Sequence, residues 1–160
     1  MKQRYTIRPA RRDDADAVGP VWQHMAEQHR AYDPEVWCWA LDAPDRYVRG
    51  FAEFFDRDDM VLLVAEEDDG ALVGVAVGNI RDTLPTFQTR TNGFVWDLCV
   101  LPTHRRRGIG RRLMEEMFDE MKRRGCDDVI LHVALRNRAG IRLYEKLGMR
   151  PVMYRMYKRL

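Results

Sequence analysis

V-L-P-T-H-R-R-R-G-I-G-R-R-L, running from Val100 to Leu113, is the stretch on which the fold turns. An apolar strand pattern, Val95 to Leu101, is stopped by Pro102, and a helix pattern begins near Gly108. Between them lies an R-x-x-G-x-G run of Arg105, Arg106, Arg107, Gly108, Ile109 and Gly110. Glycines at a strand-to-helix turn let the backbone approach a ligand closely and take positive φ where needed. The helix that follows presents unpaired N–H groups and the positive end of its dipole. Together these predict a cradle for a pyrophosphate, with arginines adding charge around it.

Around this turn the chain has the size and balance of one domain, residues 1–160, with a core of its own. It is 46% hydrophobic and 32% charged, which argues against disorder. The net charge is only +2, and the basic residues gather locally at Arg105–Arg112 and Lys122–Arg124. A nucleic-acid partner is therefore not expected. No apolar run approaches membrane-spanning length, and Met1-Lys2-Gln3-Arg4 leads into a strand pattern rather than a signal peptide. The expectation is a cytoplasmic protein with no membrane partner. Cys38, Cys99 and Cys126 have no metal-like spacing and read as buried thiols of a reducing compartment, with no metal site.

The element order can be read along the chain. Tyr5–Arg8 alternates as a short strand ended by Pro9. Asp13 or Asp14 can cap a helix with Val18, Val21, Trp22 and Met25 on one face, fading near Gln28–Ala31. An aromatic connection, Tyr32 to Trp39, leads to a second helix from Pro44 and Asp45 through Tyr47, Val48, Phe51 and Phe54. Met60–Ala65 and Ala71–Ile80 read as strands joined by an Asp-Gly hairpin turn, and Gly74 and Gly78 suggest a bulge or a close backbone approach. A polar loop, Arg81–Asn92, precedes the strand Phe94–Leu101. After the Arg/Gly turn come a helix ending near Gly125, a strand Val129–Val133, a helix from Asn137 to Gly148, and a last strand Val152–Tyr157.

This order predicts an α/β domain with a mixed, mostly antiparallel central sheet flanked by helices. The chain resembles the GNAT superfamily of acyl-CoA-dependent N-acetyltransferases. One carrying motif is R-x-x-G-x-G at Arg105–Gly110, preceded by D-L-x-V-x-P at Asp97–Pro102. The other is N-x-x-G-x-x-x-Y-x-x-x-G at Asn137, Gly140, Tyr144 and Gly148. Family members more often carry Ala at the Gly140 position and Phe at the Met149 position; neither departure removes a functional side chain. The core of the match runs from Val95 to the C-terminus, and the first half matches in element order.

The resemblance implies acetyl-CoA as acyl donor and an amine, of a small molecule or a protein, as acceptor, with a homodimer possible. It implies that the backbone of Arg106–Gly110 holds the CoA pyrophosphate, with Arg105, Arg107 and Arg111 nearby. It also implies that Leu98, Cys99 and Val100 pair their backbone with the pantetheine arm, joined by Asn137 and Tyr144. Tyr144 would protonate the departing CoA thiolate; read without the resemblance, it is a core tyrosine beside Leu143 and Leu147. Asn137 is equally a helix N-cap.

An amine of pKa near 10 must lose a proton before it attacks. Asp97, on the strand before the turn, is the first candidate base; His132, Glu66 and a water are others, and Asp97 can also be a structural carboxylate. Strand alternation places Asp97 and Cys99 opposite Trp96, Leu98 and Val100. No cysteine has a base beside it in sequence, which disfavours an acyl-enzyme. The rival reading is a non-catalytic acyl-CoA-binding domain, which needs the turn but neither Tyr144 nor a base.

Overall fold

The structure, a computed structural model, describes residues 5–84, 86 and 91–160. Five strands form one sheet: β1 (Tyr5–Pro9), β2 (Met60–Glu67), β3 (Leu72–Asp82), β4 (Thr91–Val100) and β5 (Asp128–Leu131), in the order β1-β2-β3-β4-β5. The first four are antiparallel neighbours, and β5 runs parallel to β4. Helices α1 (Ala15–Tyr32) and α2 (Ala43–Glu53) pack on one face, through Val64, Val75, Val77 and Cys99. Helix α3 (Ile109–Arg123) packs on the other, through Val61, Leu63, Val73 and Val95, and α4 (Arg138–Lys146) follows β5. The mixed, mostly antiparallel sheet between helices is the architecture the sequence predicts. Because β2 and β3 are covered on both faces, they read as continuous apolar runs.

Helix α3 lies close to the sheet because two strands lack side chains beneath it. A Cβ on Gly78 would come 2.6 Å from Met121 Cε and 2.9 Å from the Phe94 carbonyl oxygen, and one on Gly93 would overlap Met121 as well. Gly78→Ala is expected to cost about 1–3 kcal/mol through overpacking, read as a lower midpoint in denaturant. An unchanged midpoint would mean that the helix rides higher than described. Of the two readings of Gly78, a bulge or a close approach, the close approach is met at the glycine itself, while the bulge lies opposite it on β4: the register shifts between Val77, opposite Asp97, and Gly78, opposite Val95. Trp96 is the extra residue.

Several elements differ from the sequence reading. Asp14 stands at the N-cap of α1, yet its carboxylate accepts from the Arg8 guanidinium at 2.7 and 2.9 Å and from the Arg11 amide at 2.6 Å. That pairing holds the Asp14 carboxyl below the usual carboxylate range. Helix α1 continues to Tyr32, and Trp39 folds back on its middle, its ring edge-on to Trp22 at 5.4 Å and its indole donating to the Ala26 carbonyl. Trp37 leans on His29 at 5.1 Å, so both tryptophans of the aromatic connection pack against α1. Cys99 is buried, but Cys126 is half-buried and Cys38 exposed, so the three thiols are not uniformly interior. Part of the anticipated Arg81–Asn92 loop belongs to β3 and β4; residues 85 and 87–90 of it, like Met1–Arg4, lie outside the described residues. The last strand expected at Val152–Tyr157 does not form: residues 151–160 have no regular structure and all are exposed. A strand needs a neighbour for its backbone groups, and among the described residues of the chain this segment pairs with none.

Candidate functional site

β4 is longer than its partner β5, and the difference makes a groove. β5 pairs with β4 only from Asn92 to Val95, so β4 runs on to Val100 with no strand on that side among the described residues. The Leu101 amide donates to the Val73 carbonyl, which makes that pair and the Val75–Cys99 pair the hydrogen-bonded ones of the β3–β4 ladder. By alternation the backbone groups of Leu98 and Val100 point to the open side. Arg105 reaches there, its Nε donating to the Val100 carbonyl at 3.0 Å and its Nη2 to Gln28 Oε1 at 3.0 Å. A Cβ on Gly110 would sit 3.6–3.9 Å from Leu143, Val100 and Leu98, so this side of β4, the first turn of α3 and α4 come together.

The turn before α3 is built from two left-handed residues, Arg106 at φ 62° and Gly108 at φ 85°. Gly108 is the N-cap and has no side chain to cap with; the first intrahelical bond runs from the Arg112 amide to its carbonyl. The amides of Ile109, Gly110 and Arg111 therefore precede the helical ladder, and the first turn holds no acidic residue. The Ile109 side chain is buried in the core, which anchors this end of the helix. Beneath the turn, buried Glu67 meets His104 Nε2 at 3.1 Å, and Arg107 Nη1 lies 4.0 Å from its other oxygen. Tyr5 donates to the Arg107 carbonyl at 3.3 Å. Arg111 pairs with Glu115 at 2.8 Å on the exposed helix face, which draws it away from the turn. An anion at this helix end would meet fixed amides and the arginines around them.

On the other face of β4 the bulge changes the alternation. The Trp96 ring is edge-on to Phe54, just beyond α2, and its indole donates to Asn79 at 2.6 Å. Asp97 faces α2 as well, accepting from the Tyr47 hydroxyl at 3.0 Å. Trp96 thus shares the side of Asp97, contrary to simple alternation, while Leu98 and Val100 pack toward α3 as expected. Tyr47 is stacked on Trp22 at 4.4 Å, and burial, with the Asp97 charge next, raises its phenol well above the usual range. Burial pushes the Asp97 carboxyl up to about 6, against the opposing Tyr47 hydrogen bond. Part of the residue still reaches solvent. Cys99 is buried beside Met25, Sγ to Sδ 3.3 Å, and burial drives its thiol far upward, which leaves no thiolate to act as a nucleophile.

Tyr144, on α4, is half-buried, and burial followed by the influence of Cys99 and Asp97 raises its phenol to about 12. Asn137 caps α4, its side-chain oxygen accepting from the Gly140 amide at 2.9 Å. A Cβ at Gly140 would crowd that side chain at 2.7 Å, which accounts for glycine here. His132 is exposed, just past β5, with its ring against Phe94. Glu66 pairs with Arg8 between β1 and β2. Neither adjoins the Asp97–Tyr47 pair.

Tyr47 is the residue that sequence reasoning passed over. It stood among Val48, Phe51 and Phe54 as one more apolar position on a helix face. The signal was its hydroxyl, which in a buried phenol takes a partner. A cavity of about 280 Å³ lies elsewhere, between β1, β2 and the later turns of α3, with Arg8, Glu116 and Arg124 on its walls. The unpaired half of β4 offers backbone groups in a row, which suits an extended ligand.

Comparison with known proteins bears on the family and the fold. Residues 22–149 match the model of the Acetyltransferase (GNAT) family. Over 96 residues the chain is 35% identical to N-alpha-acetyltransferase 30 of Saccharomyces cerevisiae, covering 59% of this chain and 54% of that one. The chain spans about half the length, or less, of the curated relatives it matches. Among solved structures, the tetramutant of the BH1408 protein from Bacillus halodurans superposes with a TM-score of 0.86 at 27% identity, over 97% of this chain and 99% of that one. An aminoglycoside N-acetyltransferase solved in complex with CoA shares the fold, with a TM-score of 0.77 at 17% identity over 100% of this chain and 97% of that one.

Proposed function

Because the chain belongs to the GNAT acetyltransferase family, we propose that it is an N-acetyltransferase that moves the acetyl group of acetyl-CoA to a primary amine by direct attack in a ternary complex. The observation that carries this reading is the open half of β4 beside the first turn of α3, with α4, which bears Tyr144, packed against both through Leu143.

The residues present fit CoA. The Leu98 backbone would take the pantetheine arm as an added strand, the Val100 carbonyl being held by Arg105 and its N–H left for the acyl oxygen. The amides of Ile109, Gly110 and Arg111 would take the pyrophosphate, with Arg106 and Arg107 adding charge. The Asn137 side-chain oxygen is committed to the helix cap, so its NH2 group is the part available to the arm. CoA supplies the acyl group as an activated thioester. Asp97, ionised above about pH 6, draws in the ammonium group and takes its proton, directly or through a water. The Val100 N–H polarises the acyl oxygen. Tyr144, protonated at working pH, gives a proton to the departing sulfur. Tyr47 keeps the Asp97 carboxylate aimed. The acceptor is the primary amine of a small molecule or a protein.

The test is thiol release from acetyl-CoA against a panel of amines, beside thermal melts with CoA. A raised melting temperature with CoA, and thiol release with one class of amine, is the expected result. A raised melting temperature with no release from any amine class would favour a binding domain, and no shift at saturating CoA would remove the cradle. Gly108→Val should raise the Kd for CoA about ten- to a hundredfold, because valine does not hold φ 85° and the turn relaxes so that its amides no longer converge on the anion. Calorimetric titration of the folded variant checks this; unaltered affinity would sink the assignment.

A further inference from the structure

On the sheet face that bears Asp97, one buried amide aims two exposed side chains. The Asn79 side-chain oxygen, in a residue only 5% exposed, accepts from the Trp96 indole at 2.6 Å and from Arg81 Nε at 3.1 Å. Its NH2 group donates to Asp59 at 3.0 Å, so the amide is fixed at both ends. The Arg81 guanidinium carbon stands over the Phe94 ring, 3.9 Å from its centroid, and 5.8 Å from that of Trp96. Exposed arginines and tryptophans ordinarily sample several rotamers, and holding them in one costs entropy. Here the fold has already ordered both, which leaves them preorganised for a ligand. Arg81 uses its Nε in this frame, while Nη1 and Nη2 have no partner among the described residues. Arg57, beside Phe54, is spent on Asp59 at 2.7 Å, so Arg81 brings uncompensated charge to this face.

We infer that the amine acceptor carries a carboxylate or phosphate, which docks on Arg81 while the amine lies at Asp97 and the body between them lies across Trp96. This rests on the acetyl-transfer reading above and names the acceptor's chemistry. Val77 stands opposite Asp97 and Arg81 opposite Asn92, so Arg81 lies about 13 Å farther along the sheet at the usual strand rise. Its guanidinium leans back over Phe94 and toward Trp96, which brings the two charged ends to roughly 10 Å apart. An extended peptide covers that span in about three residues. The free edge of a guanidinium takes a carboxylate or phosphate through two parallel hydrogen bonds. Trp96, 41% exposed, offers its ring to the apolar part of the acceptor. A polyamine would instead set a second positive charge against Arg81.

Thiol release from acetyl-CoA with matched acceptors tests this. One series is ω-aminooctanoate, octylamine and diaminooctane; the other is C-terminally amidated tripeptides with glutamate, glutamine or lysine in the last place. In at least one series the acidic member should exceed the cationic one in kcat/KM by about tenfold or more, the effect of one charge-assisted pair. A preference among the peptides identifies an acidic chain terminus as the acceptor, and one confined to aminooctanoate identifies a small amino acid. Arg81→Gln should flatten the preference and Arg81→Glu should reverse it, with the change mainly in KM. A preference for the cationic members, equal rates across both series, or a preference untouched by both variants overturns this inference and leaves the transferase standing. No release with any amine removes the transferase reading, and this inference with it.

Discussion

Asp97→Asn is expected to lower kcat by roughly 10²–10⁴-fold, the usual range for a positioned acid or base. Asparagine keeps the shape and still accepts from the Tyr47 hydroxyl, so the loss reports proton transfer rather than collapse. In the unaltered enzyme kcat/KM should rise with pH through about 6, the value to which burial lifts this carboxyl, and then level off. The variant should lack that rise. Stability should move the other way. The carboxyl titrates at about 6 when folded, above its ordinary 3.8, so the folded state holds the extra proton between those values. This group's contribution therefore falls as pH climbs from about 4 to about 6, and stays low above that. Asp97→Asn removes the buried charge and should raise Tm at about pH 7.5 more than at about pH 4.5. A variant with full activity and an unchanged pH profile would assign the carboxylate a structural role and leave water as the base.

Tyr144→Phe is the second large effect, with kcat lowered about a hundredfold and acetyl-CoA affinity nearly unchanged. The phenol is held near 12 by burial and by the neighbouring Cys99 and Asp97. It is therefore in its acid form at every working pH, and no alkaline fall in activity below that value should come from it. Single-turnover measurements separate chemistry from product release. A folded variant with an unaltered single-turnover rate would strip Tyr144 of the proton-donor role.

Much of this site is local in sequence, and so it could be read there. Gly108 and Gly110 after a strand end, and Asn137 three residues before Gly140, state their own backbone needs. The strand-to-helix turn, the cap of α4 and the order of elements follow from such short-range chemistry. What escaped is what depends on distant partners. Tyr47 and Asp97 lie 50 residues apart in the chain, and only the packing of α2 on the sheet joins them. The extra residue at Trp96 turns it to the Asp97 side, and no alternation rule written from β4 alone includes a bulge set by β3. Asp14 looked like a cap and became the partner of Arg8 because β1 passes beside it. The segment after Gly148 has a strand's composition, but a strand is completed only by the edge it joins.

Amide hydrogen exchange with and without CoA tests most directly the claim that one groove, between the open half of β4 and the start of α3, receives the acyl donor. Exchange is expected to slow at Leu98, Val100 and Ile109–Arg111 when CoA is added, with little change at β1 or in the Tyr32–Trp39 connection. Slowing confined to residues away from β4 and the first turn of α3, with these amides unaffected, would contradict it.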